Sequence, residues 1–260
     1  MMLYNKNTMK FIIANWKMNP RSVDDVKKYF SVFNRKKRID TGITTVFCPP
    51  NLFVESVVKY TKKNRKVHVG LQNMFWEEEG SYTGETGTSM AKNSGARFVI
   101  VGHSERRAMG ESNKEIAYKT QAGLEIGFHV VLCIGEPKRD VHGAYLRYIE
   151  KQLHESLAGI KRTQVKKLII AYEPVWAIGT GKKPPAVHDI AQTTMYIKKL
   201  LYKMYGKKVA EETSIIYGGS TNAENVKDII YEGGVAGVLV GRSSLNPTEF
   251  SEMITAVAKK

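Results

Sequence analysis

Eight short apolar runs recur along the chain, each about as long as one buried strand. They are KFIIANWK (10–17), ITTVFCP (43–49), KVHVGLQN (66–73), RFVIVGH (97–103), HVVLCIG (129–135), KLIIAYE (167–173), SIIYGG (214–219) and AGVLVG (236–241). A strand with one wet face alternates polar and apolar residues. Near-continuous runs rich in β-branched residues belong instead to parallel sheets whose faces are both covered. Parallel strands need long crossovers, and the intervening stretches supply them with helical periodicity. Between 187 and 205, for example, Ile190, Thr194, Ile197, Leu201 and Met204 fall three to four residues apart, and Gly206 follows as a stop. Eight strand–helix alternations in 260 residues predict an α/β chain folded as a single-domain (β/α)8 barrel. An open doubly wound sheet would carry a glycine fingerprint in its first turn, and NWKMNPRS has none. With no Pro- or Ser-rich linker in view, the barrel is expected over 9–260, with residues 1–8 as a short N-terminal extension.

Composition narrows the function classes. Hydrophobic residues make up 42% and charged residues 25%, a globular balance rather than a disordered one. No apolar stretch approaches the roughly 20 residues that cross a bilayer, and MMLYNKNTMK lacks the apolar core of a secretory signal. The two cysteines, Cys48 and Cys133, sit among β-branched neighbours and read as buried, reduced thiols, which suits the cytoplasm. Two such residues do not make a zinc site, which usually takes about four ligands. A net charge of +15 could attract polyanions, but the lysines are spread through VKKYF, YTKKNRK, QVKKLII and IKKLLYKMYGKK. That spread fits a solvated outer surface, with a polyanion-binding role as the alternative.

In a barrel of this kind the working residues stand at the C-terminal ends of the strands, where the following loops gather around one mouth. Those ends read Asn15 and Lys17, Asn73, His103, Glu136, Glu173, Gly218-Gly219-Ser220 and Gly241. Glu173 closes an apolar strand and precedes the apolar loop segment Pro174-Val175-Trp176-Ala177-Ile178. A carboxylate that loses its water when such a loop closes is a stronger base, although a structural ion pair would also explain it. His103 ends a strand just before an expected helix start, a setting that favours neutral imidazole; a capping role is the alternative. Lys17 among apolar neighbours is costly unless it faces the mouth or an anion. Glu105 lies close enough in sequence to pair with His103. YGGS (217–220) and LVGR (239–242) follow the seventh and eighth strands, where barrels commonly cradle phosphate on backbone N–H groups and a short helix N-terminus.

The segments ANWKMN, GHSERR, CIGE, YEPVWAIGTGK, YGGS and LVG occur in the order and near the spacing of the triosephosphate isomerase family, which this chain resembles from about Lys10 to its end. The resemblance implies interconversion of dihydroxyacetone phosphate and D-glyceraldehyde 3-phosphate without metal or organic cofactor. It implies Glu173 as the base, His103 as the electrophile that shuttles protons, Lys17 as the stabilising cation, Asn15 as a shaping residue and Glu105 as a support. It implies phosphate binding by backbone groups at Gly179, Ser220, Gly241 and Arg242. Pro174, Val175, Trp176, Ala177, Ile178, Gly179, Thr180, Gly181 and Lys182 resemble a lid that shuts water out of the enediolate. A homodimer is implied too, with Thr83 at the tip of NMFWEEEGSYTGETG reaching the partner's Asn15 and Met18 seated in the pocket that loop forms. Three positions depart from the family pattern. Arg242 follows Gly241 where a second glycine is common, the segment before Glu111 is one residue short, and Phe75 stands where histidine is frequent.

Overall fold

The computed structural model describes residues 9–35, 42–179 and 184–258. The expected extension, residues 1–8, and the lid residues Thr180, Gly181 and Lys182 lie outside the described residues. The strands are β1 (Lys10–Asn15), β2 (Ile43–Cys48), β3 (Val67–Leu71), β4 (Phe98–Val101), β5 (His129–Ile134), β6 (Leu168–Tyr172), β7 (Ser214–Tyr217) and β8 (Gly237–Val240). They pair in parallel in chain order, and β8 closes on β1 through Phe11↔Gly237 and Ala14↔Val240. All eight expected strands form the closed barrel. Each predicted run that carried polar residues at its C-terminal end overshoots, because those residues lie beyond the end of the ladder.

The helices are α1 (Val23–Phe33), α2 (Val54–Thr61), α3 (Thr88–Asn93), α4 (Ser104–Ala108), α5 (Asn113–Glu125), α6 (Ala144–Ser156), α7 (Val187–Tyr205), α8 (Lys207–Glu212), α9 (Val226–Tyr231) and α10 (Pro247–Ala258). α7 matches its sequence expectation at both ends. Its stripe of Ile190, Thr194, Ile197 and Leu201 is buried, and Gly206 ends it at φ +86°. Ser112 and Glu115 form a reciprocal capping box that fixes the start of α5.

Alternation within each strand divides the core in two. In β1, Phe11 and Ile13 enter the barrel interior, whereas Ile12 and Ala14 join the larger layer between sheet and helices. This double burial is why the runs are continuously apolar. At roughly 1.5–3 kcal/mol for each large side chain removed from water, the two layers dominate the favourable side of folding. Cys48 and Cys133 are both free and buried in the interior cluster. Burial pushes both thiols far above their ordinary range, and Cys133 also faces Glu173. Among the described residues no helix is long and apolar enough to cross a membrane.

Candidate active site

β6 delivers Glu173 to the rim. Its N–H donates to the Ile134 carbonyl at 2.8 Å, and the next strand approaches through Gly218, whose N–H donates to the Tyr172 carbonyl at 2.8 Å. The residue is 1% exposed. Its Oε2 accepts the backbone N–H of Ser104 at 2.8 Å. Its Oε1 lies 3.2 Å from His103 Nε2 without an aligned hydrogen bond. Two glycines make this fit possible. A Cβ at Gly135 would stand 1.6 Å from the Glu173 carbonyl oxygen, and one at Gly218 would stand 2.8 Å from Glu173 Cγ.

β4 delivers His103, which is the N-cap of α4. The backbone N–H of Glu105 donates to His103 Nδ1 at 3.2 Å. A ring nitrogen that accepts an N–H carries no proton, so the imidazole is neutral and holds its proton on Nε2, toward Glu173. β1 delivers Lys17 through a left-handed backbone, φ +51°, the one positive φ outside glycine among the described residues. Such a conformation costs a side-chain-bearing residue about 1–2 kcal/mol, and strain of this kind clusters at functional sites. Asn15 Oδ1 accepts the Lys17 N–H at 3.0 Å. The ammonium then reaches Glu105 Oε1 at 2.5 Å and lies beside Gly241, where a Cβ would be 3.9 Å from Nζ. Acid, imidazole and ammonium from three distant segments thus meet on one rim.

A family model described as triosephosphate isomerase matches residues 10–257. The chain is 38% identical over 248 residues to a triosephosphate isomerase of Coprinopsis cinerea, covering 95% of this chain and 97% of that protein. It is 39% identical over 251 residues to one of Fusobacterium nucleatum, with 94% and 97% covered. With one of Carboxydothermus hydrogenoformans the identity is 36% over 246 residues, again with 94% and 97% covered. The chain belongs to the triosephosphate isomerase family. It is an isomerase, and the alternative of a polyanion-binding role gains no support.

The other sequence expectations meet the structure unevenly. Glu105 meets His103 as its proximity suggests, through its backbone N–H and with its carboxylate 3.7 Å from Nδ1, and the same carboxylate also holds Lys17 at 2.5 Å. The side chain of Asn73, read as a mouth residue, accepts from Lys119 Nζ at 2.9 Å. Lys119 also pairs with Glu111, and both side chains are only 4% exposed. Breaking such a buried pair from one side typically costs about 3–5 kcal/mol, so Glu111, at the shortened segment, braces the wall behind β4.

Of the phosphate-binding expectations, Gly179 is exposed at φ +115° and Ser220 is exposed after β7. Gly241 leads into a 3-10 turn, Arg242–Leu245, as the short helix expected after the eighth strand, and Arg242 is exposed. β7 and β8 are neighbours, so both glycine turns open on the same sector of the mouth.

In the lid segment, Val175–Ala177 form one 3-10 turn after Pro174. Trp176 is more than an apolar lid contact. Its Nε1–H donates to Glu136 Oε1 at 2.7 Å, and the Tyr172 hydroxyl donates to the same oxygen at 3.0 Å. Glu136 is fully buried; burial raises its pKa, and these two donors partly offset the effect. Sequence reading saw Glu136 at a strand end and assigned it nothing, although the only polar atom of Trp176 needed a partner.

Arg107 was missed too. Its Nε donates to the Gly102 carbonyl at 2.8 Å and its Nη2 to the Cys133 carbonyl at 3.1 Å, which fixes the turn carrying His103. Burial holds its guanidinium below the ordinary range. The second arginine of HSERR was the available signal.

Proposed function

We propose that the chain interconverts dihydroxyacetone phosphate and D-glyceraldehyde 3-phosphate. Glu173 removes the proton from the carbon beside the carbonyl. His103 donates its Nε2–H to the carbonyl oxygen as negative charge gathers there, and recovers a proton from the neighbouring hydroxyl. Proton return to the other carbon completes the exchange. The observation that carries this reading is the buried Glu173 carboxylate 3.2 Å from His103 Nε2, while the other ring nitrogen accepts the Glu105 N–H. A base and an electrophile are there held at one point without a charged imidazole to quench the base.

Lys17 supplies positive charge beside the developing oxyanion, with Asn15 holding its backbone and Glu105 its ammonium. Backbone groups at Gly179, Ser220, Gly241 and Arg242 receive the phosphate. The segment from Pro174 to Lys182 acts as the lid, with Trp176 anchored on Glu136 until the lid moves. The reading extends to a homodimer in the cytoplasm serving glycolysis and gluconeogenesis. Met18 is 93% exposed, and Tyr82 beside the exposed Thr83 is 46% exposed, apolar surface that a partner would cover.

A coupled assay of triose phosphate interconversion tests the chemistry. Glu173→Gln is expected to lower kcat by about 10²–10⁴-fold, the usual worth of a positioned general base. Full activity in that variant would remove Glu173 from the reaction.

A further inference from the structure

The geometry points to Gln72 as a positioning residue that holds Lys17 over the site. This inference rests on the proposed role of Lys17. Gln72 stands one residue beyond β3 and is half-buried. Its Nε2 lies 2.9 Å from the Lys17 carbonyl and 2.8 Å from the Cys48 carbonyl. Two carbonyl oxygens at hydrogen-bonding distance from one atom require that atom to be the amide nitrogen, so both its hydrogens are committed. The Cys48 carbonyl also accepts the Trp16 N–H at 3.1 Å. Gln72 therefore ties the turn after β1 to the last residue of β2.

What that tie secures is the unusual backbone. Lys17 is held left-handed at φ +51° by clamps on both its peptide groups: Asn15 Oδ1 on its N–H and Gln72 Nε2 on its carbonyl. An ordinary right-handed or extended Lys17 would rotate that carbonyl away from Gln72. It would also swing the side chain off the line that brings Nζ to Glu105 and beside Gly241. A strained conformation persists only where its surroundings over-determine it. The Asn15 bond is local, two residues away, and travels with the turn; Gln72, 55 residues distant, fixes the turn to the barrel. Gln72 touches no reacting atom in this scheme. It acts by keeping the ammonium at the mouth.

The test is a double-mutant cycle of Gln72→Met and Lys17→Ala. It is read by calorimetric affinity for glycerol 3-phosphate, which binds without reacting, together with kcat and KM for the single Gln72 variant and melting curves. Gln72→Met keeps the volume and loses both donors. It is expected to weaken glycerol 3-phosphate binding by roughly tenfold, within the range over which neighbouring residues couple, and to lower kcat/KM with a near-native melting temperature. In the Lys17→Ala background the same change is expected to weaken binding no further. Unaltered affinity and kcat/KM in Gln72→Met would overturn the inference, as would an equal loss with Lys17 already removed. Should Gln72→Met prove too unstable to assay, the uncharged Gln72→Leu carries the same cycle. A harmless Lys17→Ala would sink the role of Lys17 itself, a failure distinct from that of Gln72.

Discussion

Alanine at position 218 is expected to separate activity from stability. A Cβ there would lie 2.8 Å from Glu173 Cγ and 3.4 Å from its Oε1. Carbon atoms rest about 3.5–4.0 Å apart, so the glutamate stem must retreat by roughly 1 Å. It has little room, because its N–H is bonded to Ile134 at 2.8 Å and its Oε2 to Ser104 at 2.8 Å. Gly135 closes against its backbone from the other strand. The displacement therefore falls on the carboxylate. Misplacement of a reacting group by about 1 Å can cost up to about 10²-fold, so Gly218→Ala is expected to lower kcat by roughly 10–10²-fold. The backbone pays no penalty, because Gly218 is not among the glycines at positive φ. Restricting the unfolded chain would even favour the variant by about 0.4–1 kcal/mol. The coupled assay and a thermal melt decide the matter. A Gly218→Ala variant with native kcat would refute the claim that Glu173 must sit where Gly218 lets it sit. A large fall in melting temperature would refute the packing argument.

Two further outcomes follow from the opposite end of the barrel and from its outer surface. Phe98 is flanked by His129, stacked at 4.7 Å, and by His68 at 5.6 Å. Burial lowers both imidazole pKa values below 6.5, helped by Lys66 and Arg97 for His68 and by Lys167 and His68 for His129. With depressed folded values the unfolded chain binds more protons in acid, so their contribution is present above about pH 6.5 and is lost as pH falls through the folded values. Urea unfolding at neutral and acidic pH is expected to show this loss, and His129→Phe to shrink it; an unchanged pH slope in that variant would rule the pair out. At the proposed dimer contact, sedimentation is expected to give twice the chain mass, and Met18→Glu to shift it toward the monomer. A native chain that sediments as a monomer at micromolar concentration would remove the dimer from the reading.

Strand number, parallel pairing, the run of α7 and the polar residues or glycines that end most strands were all legible in the chain itself. These are local properties: the period of burial, the length of a run, a glycine stop or a carboxylate after an apolar stretch each shows within about twenty residues. Side-chain partnership was not legible. Glu105 lies against its neighbour His103, as proximity allowed, but it also holds Lys17, 88 residues away. Trp176 found Glu136 across 40 residues, and Glu173 found the Ser104 N–H across 69. Asn73 found Lys119 across 46 residues. The left-handed turn at Lys17 and its clamp by Gln72 had no local signature either. Closing the barrel sets the distance between strand ends, and only that distance chooses among the many polar partners a sequence offers. The sequence by itself therefore determined which residues reach the rim, and the tertiary structure decided which of them touch.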